Sequence, residues 1–155
     1  MSLVNLLSEL AAGARWRRVV HQEPTLLVVE VAEGLRNDRT QFVELAAMPH
    51  GSVQISRGGG ATRLTLPHLL QIRSRVAQCS GGFYDPEDPE VIKTIDVILN
   101  DFQLFGSVRI HPFYYATLTI PASSASVEDI ETLALATAYI ADQIELNLGP
   151  AQDQF

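Results

Sequence analysis

One cysteine in 155 residues, Cys79, leaves no partner for a disulfide within the chain, and that usage fits a reducing compartment. No uninterrupted apolar run approaches the ~18 residues of a membrane-spanning helix. The amino-terminal stretch "MSLVNLLSELAAGARWRR" has no basic leading segment and carries Glu9 where a signal peptide needs an apolar core. Basic residues are also scarce, with 11 Lys and Arg against 18 Asp and Glu and a formal charge of −7. A phosphate backbone is bound by displacing its counterions with Lys and Arg, so this balance argues against a nucleic-acid partner. These absences predict a soluble, cytoplasmic protein that engages neither membrane nor nucleic acid.

What is present is an ordinary globular composition, 46% hydrophobic and 19% charged. A chain of this length reads as one domain over residues 1–155 and buries roughly 68–70% of its unfolded surface. No repeat or low-complexity tract interrupts it. One basic cluster, Arg15, Arg17 and Arg18 around Trp16, reads as a solvated strand entry with the tryptophan anchoring the sheet.

Leu3, Leu6, Leu7, Leu10 and Ala11 recur at helical spacing, with Ser2 as cap and Gly13 as stop. The alternating segments "TLLVVEVAE" (25–33), "TQFVELAAM" (40–48), "GSVQISR" (51–57) and "ATRLTL" (61–66) predict an antiparallel meander with "PHG" as a tight turn. From Pro67 the pattern predicts a helix, with Leu66, Leu69, Leu70, Val76 and Ala77 on one face up to Cys79. "SGGFYDPEDPE" reads as a loop in which Asp88 caps and Pro89 opens another helix through Val91, Ile95, Ile98, Leu99 and Phe102. Strands at 107–111 and 114–120 follow, then a long helix from Ser126 to the stop at Gly149-Pro150. The fold class is therefore α+β: an antiparallel sheet with amino-terminal, middle and long carboxy-terminal helices packed on it.

The last helix has a wide apolar face: Ile130, Leu133, Ala134, Ala138, Ala141, Ile144 and Leu148. Leu135, Tyr139 and Leu146 fall on another side and are candidates for a subunit or partner contact, as is Phe42 on the sheet. The triple glycine suggests a second possibility, an anion held by Arg57, Gly58, Gly59, Gly60 and Arg63. A phosphate loop, however, lies between a strand and a helix and ends in Lys-Ser/Thr, whereas Thr62-Arg63 and an alternating segment follow here. His21, His50, His68 and His111 show no metal-ligand spacing. The prolines of "DPEDPE" break a calcium-loop pattern. Cys79 at a helix end would lack the dipole that activates a thiolate. Ser123, Ser124 and Ser126 precede a helix start already occupied by Glu128 and Asp129. No catalytic residue, metal or cofactor is indicated.

From about 89 to 148 the chain runs "PEVIKTIDVILNDFQLFG", "SVRIHPFYYATLTIPAS", "SVEDIETLALATAYIADQIELNL". This order resembles the carboxy-terminal half of the YbjN-like and type III secretion chaperone-like proteins. The carrying features are a helix, two strands ending in a Leu-Pro-like "TIP" (119–121), and a last helix with an Ala-Asp pair, Ala141-Asp142. The stretch 58–88 exceeds the compact family pattern. The resemblance implies a small, acidic, non-enzymatic protein that forms a homodimer and binds a segment of a partner protein along its sheet or helices. The competing expectation is a small-molecule or nucleotide-sensing regulatory domain built on the glycine loop with Arg57 and Arg63.

Overall fold

The structure, a computed structural model, describes residues 2–48, 52–79 and 88–149. The expected turn at 49–51, most of the loop at 80–88 and Pro150 lie outside the described residues. Among the described residues three helices, α1 (Leu3–Ala11), α2 (Pro89–Asn100) and α3 (Val127–Leu148), accompany eight strands. The strands are β1 (Arg18–Glu23), β2 (Leu26–Val31), β3 (Gln41–Ala47), β4 (Ser52–Arg57), β5 (Gly60–Thr65), β6 (Leu69–Gln78), β7 (Gly106–Ile110) and β8 (Phe113–Pro121). Six form one antiparallel sheet in the order β1-β2-β3-β6-β8-β7, and β4 and β5 form a separate two-stranded ribbon. The chain is α+β, as its pattern predicts.

Two expectations need correction. The segment around Leu69–Gln78 is a ten-residue strand at the centre of the sheet, not a helix. Leu70, Ile72, Ser74 and Val76 are buried while Gln71, Arg73 and Arg75 are not, which is a period of two. A bulge between Arg75 and Ala77 buries Val76 and Ala77 together, and that adjacent pair mimics a helical stripe. Cys79 consequently ends a strand, where it is buried and its N–H donates to the Pro112 carbonyl at 2.7 Å. The second is the meander: it stops at β3, which pairs with β6, while β4 and β5 pair with each other outside the main sheet. Strand β1, whose six residues are all exposed, carries no alternation to read.

All three helices lie on one face of the sheet. Leu6, Leu7 and Leu10 of α1 pack with Leu27, Val29, Val43, Leu45 and Ile72 in one cluster. Trp16 joins that cluster and donates its Nε1–H to the Leu10 carbonyl at 2.6 Å, tying the end of α1 to the sheet. Ile95 and Leu99 of α2 pack with Val76, Ala77, Tyr114 and Ala116 in a second cluster. Helix α3 supplies Ile130, Ala134 and Ala138 to the first and Ile140, Ala141 and Ile144 to the second. Its alanines let it approach the sheet closely, and its length lets it span both clusters.

Local chemistry sets the helix ends. Ser2 accepts from the Asn5 N–H, and Pro89 opens α2. Asp88 occupies the N-cap of α2, although its side chain makes no capping hydrogen bond. At α3 the box is complete: Ser126 Oγ accepts from the Asp129 N–H at 3.1 Å, and Asp129 Oδ2 accepts from the Ser126 N–H at 3.2 Å. These hydrogen bonds from Ser126 hold the Asp129 carboxyl below the ordinary aspartate range. A lowered folded-state pKa contributes stability above the unfolded value and loses it as pH falls through the folded one.

Ser126→Ala is therefore expected to lower stability by about 1 kcal/mol in urea unfolding at neutral pH. Asp129→Asn should also destabilise at neutral pH, and its difference from the wild type should vanish below the aspartate range. A difference that persists into strong acid would mean the carboxylate charge does not act through the cap.

Candidate protein-binding surfaces

The most constrained polar feature starts in the loop between β2 and β3. Asn37 and Asp38 both have positive φ, and the Arg39 N–H donates to the Arg36 carbonyl at 3.0 Å, closing a tight left-handed turn. That turn delivers Arg39 to the start of β3, where its Nε donates to Asp142 Oδ1 and its Nη2 reaches Glu145 Oε2 at 3.4 Å. Both carboxylates are 1% exposed, against 20% for the arginine side chain. Beside them Gln41 and Ser74 are fully buried, with Ser74 Oγ donating to the Phe42 carbonyl at 2.8 Å and to Gln41 Oε1 at 3.3 Å. Gln41 Nε2 has no hydrogen-bond partner among the described residues. This network joins α3, β3 and β6 and was missed in the residue pattern. Asp142 and Glu145 lie four residues beyond Ala138 and Ala141, so the phase of the apolar stripe already pointed them inward.

Among the described residues the other face of the sheet carries no helix, and its long side chains cover one another. Val28, Glu44, Arg73, Thr117 and Gly106 line up across five strands. Arg73 Nε donates to Glu44 Oε2 at 2.8 Å, and Arg18 Nε to Glu30 Oε2 at 2.6 Å. The Arg18 hydrogen bond holds the Glu30 carboxyl below its ordinary range. Arg75 lies 4.1 Å over the Phe113 ring and donates to Tyr115 Oη at 3.2 Å, while Arg73 lies 5.4 Å from the Tyr115 centroid. Guanidinium planes over aromatic faces keep both groups ordered at a water-facing surface. Phe42 stands opposite Glu30 on this face and is 38% exposed.

The three α3 candidates separate. Leu135 is half-buried and packs on the core, whereas Tyr139 and Leu146 are 40% and 46% exposed. They lie on the helix side of the sheet and Phe42 on the other, so these candidates do not form one surface.

The glycine loop is the tip of the β4–β5 ribbon. Arg57 pairs with Gly60, and Gly58 and Gly59, with φ of +50° and +89°, make the two-residue turn that left-handed φ angles permit. It connects two strands. Arg63 pairs with Gln54, three positions from Arg57, so positions 57 and 63 fall on opposite sides of the ribbon.

Other polar groups stay apart. His21 Nε2 meets Glu23 Oε1 at 2.7 Å on exposed β1, His68 precedes β6, and His111 precedes Pro112, across a cis peptide, in the β7–β8 turn. His50 and residues 85–87 of the acidic loop lie outside the described residues. Among the described residues no three His, Cys, Asp or Glu side chains are grouped to hold a metal, and no helix is long and apolar enough to cross a membrane. A shallow cleft of about 460 Å³ opens where α2 meets β7, lined by Asp96, Asn100, Gln103, Phe105 and Ser107 among others. No family model, no curated protein and no solved structure matches the chain.

Removing Arg39 leaves buried negative charge without its counterion. Arg39→Met is expected to cost about 3–5 kcal/mol in chemical unfolding, and adding Asp142→Leu to recover part of that loss. A cost within the ~0–1 kcal/mol of a surface pair would show that the carboxylates are solvated.

Proposed function

We propose that this protein is a non-enzymatic, chaperone-like binding protein that holds a segment of a partner protein and works as a homodimer. One observation carries the reading: all three helices cover the same face of a six-stranded sheet, leaving an opposite face of mixed character. That face presents Phe42 and the arginine-capped aromatics Phe113 and Tyr115 beside the ion pairs of Glu30 and Glu44. An apolar anchor on a partner segment fits against Phe42, and acidic or aromatic groups fit the guanidinium planes. The sheet ends on β1 and β7, and an extended segment adds to a sheet at such edge strands. Tyr139 and Leu146 supply a further apolar contact on the helix side.

Affinity capture from the native lysate, followed by mass spectrometry, tests the reading. One dominant protein is expected at near-stoichiometric yield from the wild type and lost from Phe42→Asp, with the melting temperature of the variant unchanged. Tyr139→Asp with Leu146→Asp, on the other side of the molecule, reports separately on the helical contact. Leu135 is left intact because an acid there would enter the core. Recovery of the bait alone, or equal yields from wild type and all variants, would overturn the assignment of these surfaces.

A further inference from the structure

Among the described residues the β4–β5 ribbon stands outside the main sheet. It continues outward from the paired strands β3 and β6, and the placed side chains at 54–56 and 58–68 are all exposed. Ile55 and Leu64 are 43% and 48% exposed on the same side of it. An isolated two-stranded hairpin is marginal in water and becomes stable when its apolar side is covered. Its charge is equally distinct. The ribbon, residues 52–65, carries two arginines, Arg57 and Arg63, and no Lys, Asp or Glu, so with −7 for the whole chain the remainder carries −9. A basic, half-apolar arm thus projects from an otherwise strongly acidic body.

An acidic surface with apolar residues to match exists on α2. Val97 is exposed there, as is Leu104 just past the helix end, with Glu90, Asp96 and the C-cap Asp101 also exposed and Lys93 the one cation among them. The arm cannot reach this surface in its own subunit. It leaves the sheet at the Ala47–Leu70 end of the β3–β6 pair, whereas α2 packs over Val76, Ala77 and Tyr114 at the far end of β6. At ~3.3 Å per residue that separation is on the order of 20 Å along the strand. Arm and receiving face at opposite ends of one molecule are the arrangement that a two-fold axis makes reciprocal: each copy offers an arm and receives one.

We propose that the β4–β5 ribbon is a dimerisation arm that docks on the acidic outer face of α2 in a second copy of this chain. This deepens the homodimer part of the reading above, and it stands or falls on self-association, whereas partner capture by the Phe42 face is scored separately.

Sedimentation velocity of the purified full-length chain tests it. The wild type is expected to be a dimer whose dissociation constant rises with salt, as screening weakens the arm's attraction to the acidic face. Ile55→Asp with Leu64→Asp, and separately Val97→Asp, should each weaken association by tenfold or more with melting temperatures retained. Mixing the arm variant with the Val97→Asp variant should restore a heterodimer, because one intact arm then meets one intact α2 face. Arg63→Glu, on the side of the ribbon away from Ile55 and Leu64, cancels the arm's net positive charge without touching its apolar contact, and should flatten the salt dependence of the dimer. A monomeric wild type would overturn the proposal. So would a dimer that survives the arm substitutions, that fails to reform in the mixture, or that is lost on Tyr139→Asp with Leu146→Asp while the arm variants still associate.

Discussion

Asp142 and Glu145 are carried into the seam between α3 and the sheet, and Arg39 is what makes that seam tenable. Two carboxylates withdrawn from water on an apolar helix face would prise the helix from the sheet without a counterion, since burying unpaired charge costs several kcal/mol. Arg39 reaches them from a turn held by Asn37 and Asp38, whose polar side chains tolerate left-handed backbone. On α3 the two carboxylates lie among Ile140, Ala141 and Ile144 of the second cluster, and on β6 their neighbour Ser74 separates Ile72 of the first cluster from Val76 of the second. Arg39, Gln41 and Ser74 thus line a polar strip alongside an otherwise apolar contact.

With the helices confined to one face, the other face has to meet water while remaining a sheet. It does so by making its polar groups serve as cover: Arg73 and Arg75 lie over Tyr115 and Phe113, with the Arg73 head fixed by Glu44 and the Arg75 head donating to Tyr115 Oη. Phe42 stands apart from that cover. The surface is thus ordered in isolation yet retains apolar area for a second molecule.

Much of the architecture was legible because burial and periodicity agree. Helix α1, the capped helix α3 and the greater part of β2 and β3 follow one period, so the α+β class followed, although β8 is buried on both faces from Tyr114 to Leu118. The failures have physical causes. In β6 an inward-facing Ser74 interrupts the apolar alternation, and the bulge puts Val76 and Ala77 side by side as a helix would. In β1 both faces are exposed, so nothing alternates. The candidate site was legible only in part: Phe42, Tyr139 and Leu146 emerge as exposed apolar residues, but Leu135 lies against the core because it borders the buried stripe. The arginine-aromatic face was hidden because it depends on the register of β6 against β8, which a helical reading of β6 removes. The ribbon became visible as an arm only once β4 and β5 were seen to pair outside the main sheet.

The contact between Arg39 and Asp142 spans 103 positions, and its second half lies near the end of α3. The sheet is assembled mostly from neighbouring hairpins, yet β6 must wait for β8, and the apolar side of β2 and β3 must wait for α3. During synthesis the amino-terminal half therefore emerges with its hydrophobic face covered in part by α1, and the remainder closes only when α3 is released. Until then part of the core faces water, the exposure that favours aggregation over folding.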